Sequence, residues 1–398
     1  MPMSMVNSRI FDVVVVGGGP AGATAAADLA RRGRSVVLLD KAGRIKPCGG
    51  AIPPRLIRDF EIPDGLLVAK IRSARMIAPS DKRVVMPIDG GFVGMVDREV
   101  FDEWLRSRAA AVGADRRTGS FVRITREDGV ATVHYKTADG TEECVRTRTV
   151  IGADGALSAV AKQEVPSATR MKCVFAYHEI VRAPAGSQAD FNPESCDVWY
   201  QGTLSPDFYA WIFPHGDTVS IGTGSANKGF SLRRSVEALR AATGLDGTET
   251  IRREGAPIPL KPLKRWDNGR DVVLAGDAAG IVAPASGEGI YYAMAGGRFA
   301  ADAVEACLET GDARKLATAR KRFMKAHGRV FWILGVMQWF WYSSDKRRER
   351  FVSMCRDPDV QKLTWDAYMN KELVRAKPVA HVKIFFKDLA HLLGVVRP

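Results

Sequence analysis

Paired cysteines are missing from this chain. Its six cysteines (48, 144, 173, 196, 307 and 355) include no C-x-x-C pair. Neither a zinc site nor a disulfide framework is therefore expected, and a reducing cytoplasm fits. The six histidines show no metal-ligand spacing. No stretch reaches the ~18–20 uninterrupted apolar residues that a membrane-spanning helix needs. Residues 1–10 lack the long apolar core of a signal peptide. Internal repeats and low-complexity segments are absent as well. Acidic residues are the minority, 45 against 58 Lys and Arg, for a net charge of +13. That excess is diffuse, with no nucleic-acid motif and no basic array interleaved with aromatics. Nucleic acid is thus the poorest partner, and an anionic membrane or a pyrophosphate-bearing substrate fits better. What remains is a chain of 398 residues, 46% hydrophobic, with a mean hydropathy of −0.10. It reads as soluble and globular, long enough for two or three packed units.

Glycine is where the sequence turns specific. Phe11–Val16 is a short apolar run suited to a buried parallel strand, and Gly17-x-Gly19-x-x-Gly22 follows at once. An Ala-rich helical pattern runs to about Arg32, and a second apolar run, Ser35–Leu39, ends in Asp40. Each part has a mechanical reason. Gly17 permits a tight turn, Gly19 lets the backbone approach a pyrophosphate, and Gly22 lets helix pack on strand. At the helix start Pro20-Ala21-Gly22, the backbone N–H groups that follow Pro20, helped by the helix dipole, would then face phosphate. Asp40, 18 residues past Gly22, is placed for ribose hydroxyls. A ligand-free Gly-rich turn would explain the loop alone, but not the loop with its flanking strands, helix and terminal acid.

A distant stretch completes the picture. Asp271–Leu274 reads as another buried strand delivering Gly276-Asp277 at its C-terminal end, where ligands sit in open α/β sheets. Asp277 can accept hydrogen bonds from the ribityl chain of a flavin. Pro284 through Gly287, Gly289 and Ile290 opens a helix whose N–H groups suit the flavin pyrimidine edge. Taken alone, Gly276-Asp277 is equally well a strand-to-helix turn with an N-capping Asp. Combined with the N-terminal loop it points to FAD.

Between these lies Thr149–Ser158, again strand, then Gly152-Ala153-Asp154-Gly155, then small residues. This pattern resembles the flavoprotein hydroxylases of the p-hydroxybenzoate hydroxylase type. A narrower resemblance follows from Tyr209-Ala210-Trp211-Ile212-Phe213-Pro214 with Gly222 and Gly224, from Lys46-Pro47-Cys48-Gly49-Gly50, and from Pro284–Ile290. These are similar to the signatures of the geranylgeranyl reductase family. Ser353-Met354-Cys355 and Val360–Tyr368 resemble its chlorophyll and bacteriochlorophyll branch rather than its archaeal-lipid branch. The resemblance spans nearly the whole chain. One departure is Asp40, where many relatives carry Glu, and both accept ribose hydrogen bonds.

The resemblance implies an α+β / α/β fold: a Rossmann-type FAD-binding domain interleaved with a mostly antiparallel β-sheet substrate domain, plus a C-terminal helical region. Residues 1–70, 97–163 and 268–312 are expected in the FAD-binding domain, 71–96 and 164–267 in the substrate domain, and 313–398 in the helical region. Segment 71–95 holds two short strands, and 97–112 reads as a helix with Phe101, Trp104, Leu105 and Ala109 on one face. Asp128-Gly129 and Asp139-Gly140 punctuate a β-meander over 119–151. Val330–Tyr342, 13 residues beside the basic Lys346, Arg347, Arg348 and Arg350, suits a membrane interface, a prenyl tunnel or a core helix equally. His381–Val396 is a weaker candidate of the same kind.

The implied activity is NADPH-dependent saturation of three double bonds of a geranylgeranyl chain, giving phytyl for (bacterio)chlorophyll. The chain is carried as geranylgeranyl diphosphate or already esterified to the pigment. Hydride from reduced flavin N5 must be matched by a proton, because an isolated alkene has no carbonyl to polarise it. Cys48 is the first candidate for the proton-donating environment, Tyr209 the second and an ordered water the third. By the same resemblance Lys41, Cys48, Gly49, Arg98 and Asp154 join the cofactor contacts. Arg44, Lys46 and Lys41 are candidates for phosphates. Tyr209, Trp211, Phe213 and Pro214 form the substrate wall, with Tyr209, Trp211 and Phe213 sharing a strand face by alternation. No second GxGxxG exists for NADPH, so ferredoxin stays open as donor. The location implied is cytoplasmic, peripheral at the photosynthetic membrane, with chlorophyll synthase a possible partner. Two rivals stand beside this reading: a flavin monooxygenase of the same superfamily, and a prenyl chaperone without flavin chemistry.

Overall fold

The structure, a computed structural model, describes residues 9–41, 45–184 and 191–371. In chain order the first elements are β1 (Ile10–Val16), α1 (Pro20–Arg31), β2 (Val36–Asp40), β3 (Ala51–Ile52), α2 (Pro54–Asp59), β4 (Leu67–Ile71), β5 (Ser73–Ile77), β6 (Arg83–Pro87) and β7 (Val93–Val96). Then come α3 (Arg98–Ala111), β8 (Asp115–Thr118), β9 (Ser120–Glu127), β10 (Val130–Lys136), β11 (Glu142–Gly152), α4 (Ala159–Glu164), β12 (Cys173–Arg182), β13 (Ser195–Trp199), β14 (Ala210–His215) and β15 (Thr218–Ser225). The chain closes with α5 (Leu232–Ala242), β16 (Thr250–Pro259), β17 (Val272–Leu274), α6 (Ile290–Thr310), α7 (Thr318–Trp341), α8 (Asp345–Met354) and α9 (Pro358–Asn370). The described residues group into two compact units, one drawn from within 1–45, 98–173 and 257–331, the other from within 46–97, 174–256 and 332–398.

The first unit is a seven-stranded sheet in the order β8-β2-β1-β11-β10-β9, with β17 also beside β11. Strands β8, β2, β1, β11 and β17 run parallel. β1 is buried from Val13 to Val16, as a strand flanked by parallel neighbours and covered on both faces must be. β9, β10 and the first half of β11 form the expected antiparallel meander. Its first turn is Asp128-Gly129, both at positive φ, the conformation that a two-residue hairpin with right-handed strand twist demands. Helices α1, α3 and α6 pack together over the sheet.

The second unit holds a seven-stranded sheet, β16-β12-β15-β14-β13-β5-β6, and a three-stranded sheet, β3-β7-β4. Pairings are antiparallel except β13 with β5. One face of the larger sheet, with Ala210, Ile212, Val219 and Ile221, is buried under Val236 and Leu239 of α5. Phe213, on the other face, packs against the buried cluster of Ile71, Val93, Met95 and Cys196, as Trp365 and Tyr368 do.

Two boundaries differ from expectation. Residues 46–70 were expected beside β1 and β2, their neighbours in sequence. They group instead with the second unit, because β3 and β4 both pair with β7. Residues 313–331 of the helical region group with the first unit and 332–371 with the second. Part of the expected 313–398 region, including His381–Val396, lies outside the described residues, as does Arg44.

Candidate functional site

Within the first unit, three sequence motifs end at one sheet edge. The Gly17 N–H donates to Leu39 O at 2.8 Å, Ala153 N–H to Val16 O at 2.7 Å, and Ala275 N–H to Gly152 O at 2.9 Å. Parallel β1, β2, β11 and β17 therefore deliver Gly17, Asp40, Asp154 and Gly276-Asp277 together, at the carboxyl ends where α/β sheets bind ligands.

The three loop glycines separate by what surrounds them. A side-chain carbon on Gly22 would stand 1.9 Å from Gly17 O, and one on Gly17 would stand 2.3 Å from Ala153 O. Both are required by the protein's own packing. Gly19 is the exception: no protein atom lies within 4 Å of where its Cβ would be. Gly19 caps α1 with no side-chain hydrogen bond, and Pro20 occupies the first turn. The helix thus begins without a side-chain cap among the described residues, beside the open space that Gly19 faces. That combination fits a pyrophosphate, and an FAD diphosphate is the group it would hold.

The remaining predicted contacts sort by position. Asp40 Oδ2 accepts from Gly18 N–H at 2.7 Å, which leaves its other oxygen facing Arg106, 3.9 Å away. Asp277 is buried in a short 3-10 turn (Gly276–Ala279). A Cβ on Gly289, at the start of α6, would lie 3.9 Å from Asp277 Oδ1, so the two ends of the distal motif meet. Gly287 is at positive φ, and so is Ala285, an uncommon conformation for alanine. Ile290 opens α6 and is buried. Burial and the Asp277 charge push the Cys173 thiol up.

Two members carry structural bonds of their own. The Asp154 carboxylate bonds the Ser158 hydroxyl and accepts from Ala159 N–H at 2.7 Å and Val160 N–H at 3.2 Å, which locks the turn into α4. Burial raises its pKa. Arg98 is buried and pairs with Asp102 through two bonds of 2.8 and 2.7 Å. Lys41 is exposed. Arg106 was not singled out from sequence; it donates to Gly18 O at 3.4 Å and bonds Glu103 at 3.0 Å. Glu103 is held down to about 2 chiefly by hydrogen bonding to Arg116.

The second unit gathers the other predicted residues. A Cβ on Gly49 would fall 2.8 Å from the Phe213 ring, and one on Gly50 would fall 2.5 Å from Val96 O and from His215 Nε2. Phe213, Val96 and His215 thus require these glycines by themselves, beyond the flavin contact expected of them. Gly50 N–H donates to Cys48 Sγ at 3.4 Å. His215 Nδ1 donates to Phe213 O at 2.9 Å, and burial pushes this imidazole down to about 4. The Tyr209, Trp211 and Phe213 rings follow one another at 5.9 and 6.2 Å. Pro214 falls on the opposite face, paired with Val219. Its missing N–H is tolerated because pairing of β14 with β13 ends at Ile212.

Comparison with known proteins follows this geometry. A family model described as an FAD binding domain matches residues 80–327, and one described as an NAD(P)-binding Rossmann-like domain matches 15–66. The geranylgeranyl diphosphate reductase of Rhodobacter capsulatus is 59% identical over 98% of this chain and 99% of its own. The chain belongs to the geranylgeranyl reductase family. The chloroplastic geranylgeranyl diphosphate reductase of Oryza sativa is 36% identical over 97% of this chain and 87% of its own. A solved geranylgeranyl bacteriochlorophyll reductase-like protein from Thermoplasma acidophilum shares the fold, with a TM-score of 0.79 at 21% identity, over 94% of this chain and 99% of that one. Family membership carries with it an FAD-binding domain and favours reductase over monooxygenase.

Proposed function

We propose that this protein saturates three double bonds of a geranylgeranyl chain, sparing the one next to the oxygen, and so supplies phytyl for (bacterio)chlorophyll. The observation that carries this is the near-complete, 59% match to a geranylgeranyl diphosphate reductase. The opening at Gly19 supports it from the structure. Bound FAD would supply the hydride. The protein's own residues do the rest. Amides of the α1 start and Asp40 hold the diphosphate and ribose, while Asp277 and the α6 start hold the distal end. Trp211 and Phe213 offer an apolar wall to the prenyl chain, and the Cys48 thiol, with Tyr209 as second candidate, delivers the proton. NADPH is the proposed electron donor, binding transiently without a loop of its own.

The substrate is proposed as geranylgeranyl diphosphate, with geranylgeranyl-(bacterio)chlorophyll the alternative carrier. No described helix is long and apolar enough to cross a membrane. Trp332, Val336 and Trp339 lie at helical spacing on α7, exposed by 70%, 44% and 76%. With Lys346 exposed nearby in sequence, this face is proposed to rest on an anionic membrane surface, where chlorophyll synthase would be a neighbour. An anaerobic mixing experiment tests the donor and substrate together. NADPH should bleach the flavin absorbance, and geranylgeranyl diphosphate should restore it. Bleaching by reduced ferredoxin alone, or reoxidation only by the esterified pigment, would replace the corresponding part of the proposal.

A further inference from the structure

A chain of polar side chains runs through the second unit. Glu254 Oε2 lies 2.9 Å from His178 Nε2, and His178 Nδ1 lies 2.9 Å from Ser220 Oγ. Ser220 Oγ in turn accepts from the Trp211 indole N–H at 3.1 Å. His178, Ser220 and Trp211 are 2%, 0% and 5% exposed. The proton directions follow from the groups themselves. A carboxylate only accepts, so Nε2 carries a proton and donates to Glu254, and the tautomer with its single proton there leaves Nδ1 free of hydrogen. Its Nδ1 is then an acceptor, the Ser220 hydroxyl donates to it, and a serine lone pair is left for the indole. Each of these links is a hydrogen bond, and the outer end stands in an ion pair with Arg252, whose Nε is 3.0 Å from Glu254 Oε1.

Serine, histidine and glutamate in line resemble a hydrolytic triad, but this serine is fully enclosed and committed on both sides. Sealed from solvent, it cannot reach a substrate. Its product is the orientation of one ring. His178 and Trp211 both pair across the sheet with Gly222. A Cβ there would stand 2.2 Å from Trp211 Cζ2 and 2.7 Å from His178 Cβ, so the indole lies flat over the glycine. Hydrogen bond, glycine floor and the flanking Tyr209 and Phe213 rings together hold it in this position.

We propose that Glu254, His178 and Ser220 form a positioning relay that sets the Trp211 ring, and through it which double bonds of a bound isoprenoid chain are reduced. This rests on the reading that Trp211 lines the path of that chain. An isoprenoid tail has no hydrogen-bonding groups along its length, so beyond its head group the shape of the wall is what sets its register. A buried polar chain is an expensive way to fill space that apolar residues would fill as well, and its return is a defined geometry.

The test uses the FAD-loaded enzyme with geranylgeranyl diphosphate and NADPH, reading partly reduced products by mass. Ser220→Ala and Trp211→Phe should each raise KM and the fraction of partly reduced chains by about three- to tenfold, the scale of one lost buried hydrogen bond. FAD affinity and the rate of flavin reduction should stay within about twofold, as expected for a change remote from the cofactor loop. The double variant should be no worse than the worse single, because both cut the same link. His178→Gln, which cannot make both bonds, should shift products in the same direction and carries the test if Ser220→Ala does not fold. Normal product distributions in Ser220→Ala and His178→Gln, with Trp211→Ala still altered, would overturn the relay alone. A normal KM and product distribution in Trp211→Ala would overturn the chain-path reading as well.

Discussion

Replacing Gly19 by alanine should abolish cofactor retention without harming the fold. Gly19 has φ −74° and ψ −176°, backbone angles open to any residue. Its new methyl would meet no protein atom within 4 Å. The folded chain should therefore be unharmed, or gain about 0.4–1 kcal/mol from the stiffer unfolded state. The methyl would instead stand in the space where a diphosphate must approach the α1 amides. Losing one hydrogen bond to a charged group costs about 1.5–3 kcal/mol, so the FAD Kd should rise about ten- to 150-fold. Gly22→Ala is the matched opposite. Its Cβ would sit 1.9 Å from Gly17 O, so α1 must move off β1. Overpacking of that kind costs about 1–3 kcal/mol and should lower Tm by several degrees. FAD content after gel filtration, fluorescence titration and calorimetry measure both variants. Wild-type FAD affinity in Gly19→Ala would refute the assignment of this opening to a diphosphate.

Other outcomes follow from the second unit. Cys48→Ala should leave FAD bound and slow alkene reduction by at least about tenfold, the low end for general acid catalysis; unchanged turnover removes Cys48 from the chemistry. His215 is pushed down to about 4 from an ordinary 6.5. As pH falls from 6.5 towards 4 the unfolded chain takes up that proton first, so stability should be level above 6.5 and drop by up to about 3 kcal/mol below it. His215→Gln should flatten this part of the urea-midpoint profile, and identical profiles would deny the shift. Trp332→Ser with Trp339→Ser should weaken flotation with anionic vesicles by about tenfold or more, given two large apolar side chains withdrawn from the interface; equal flotation would place membrane contact elsewhere.

What was readable in advance was what the chain writes locally. The loop at Gly17–Gly22 states its turn, its helix start and its close approach within six adjacent residues, and the structure adds only that Gly19 alone faces open space. The Asp128-Gly129 hairpin was legible for the same reason. The pairing of segment 46–70 could not be read, because sequence proximity to β2 says nothing about pairing with β7, which lies downstream. Pro214 belonged to a motif by spelling, yet strand alternation turns it away from Trp211 and Phe213. The Glu254–His178–Ser220 relay was invisible because its members sit on β16, β12 and β15. Only the register of those strands brings them into line.

One measurement bears on the central claim most directly. Purified protein with FAD and NADPH is incubated with geranylgeranyl diphosphate, and the prenyl product is weighed by mass spectrometry. The account predicts gains in steps of two hydrogens ending at three saturated bonds, with and without oxygen. A product that gains an oxygen atom, or a prenyl chain returned unchanged while NADPH is consumed, would contradict it.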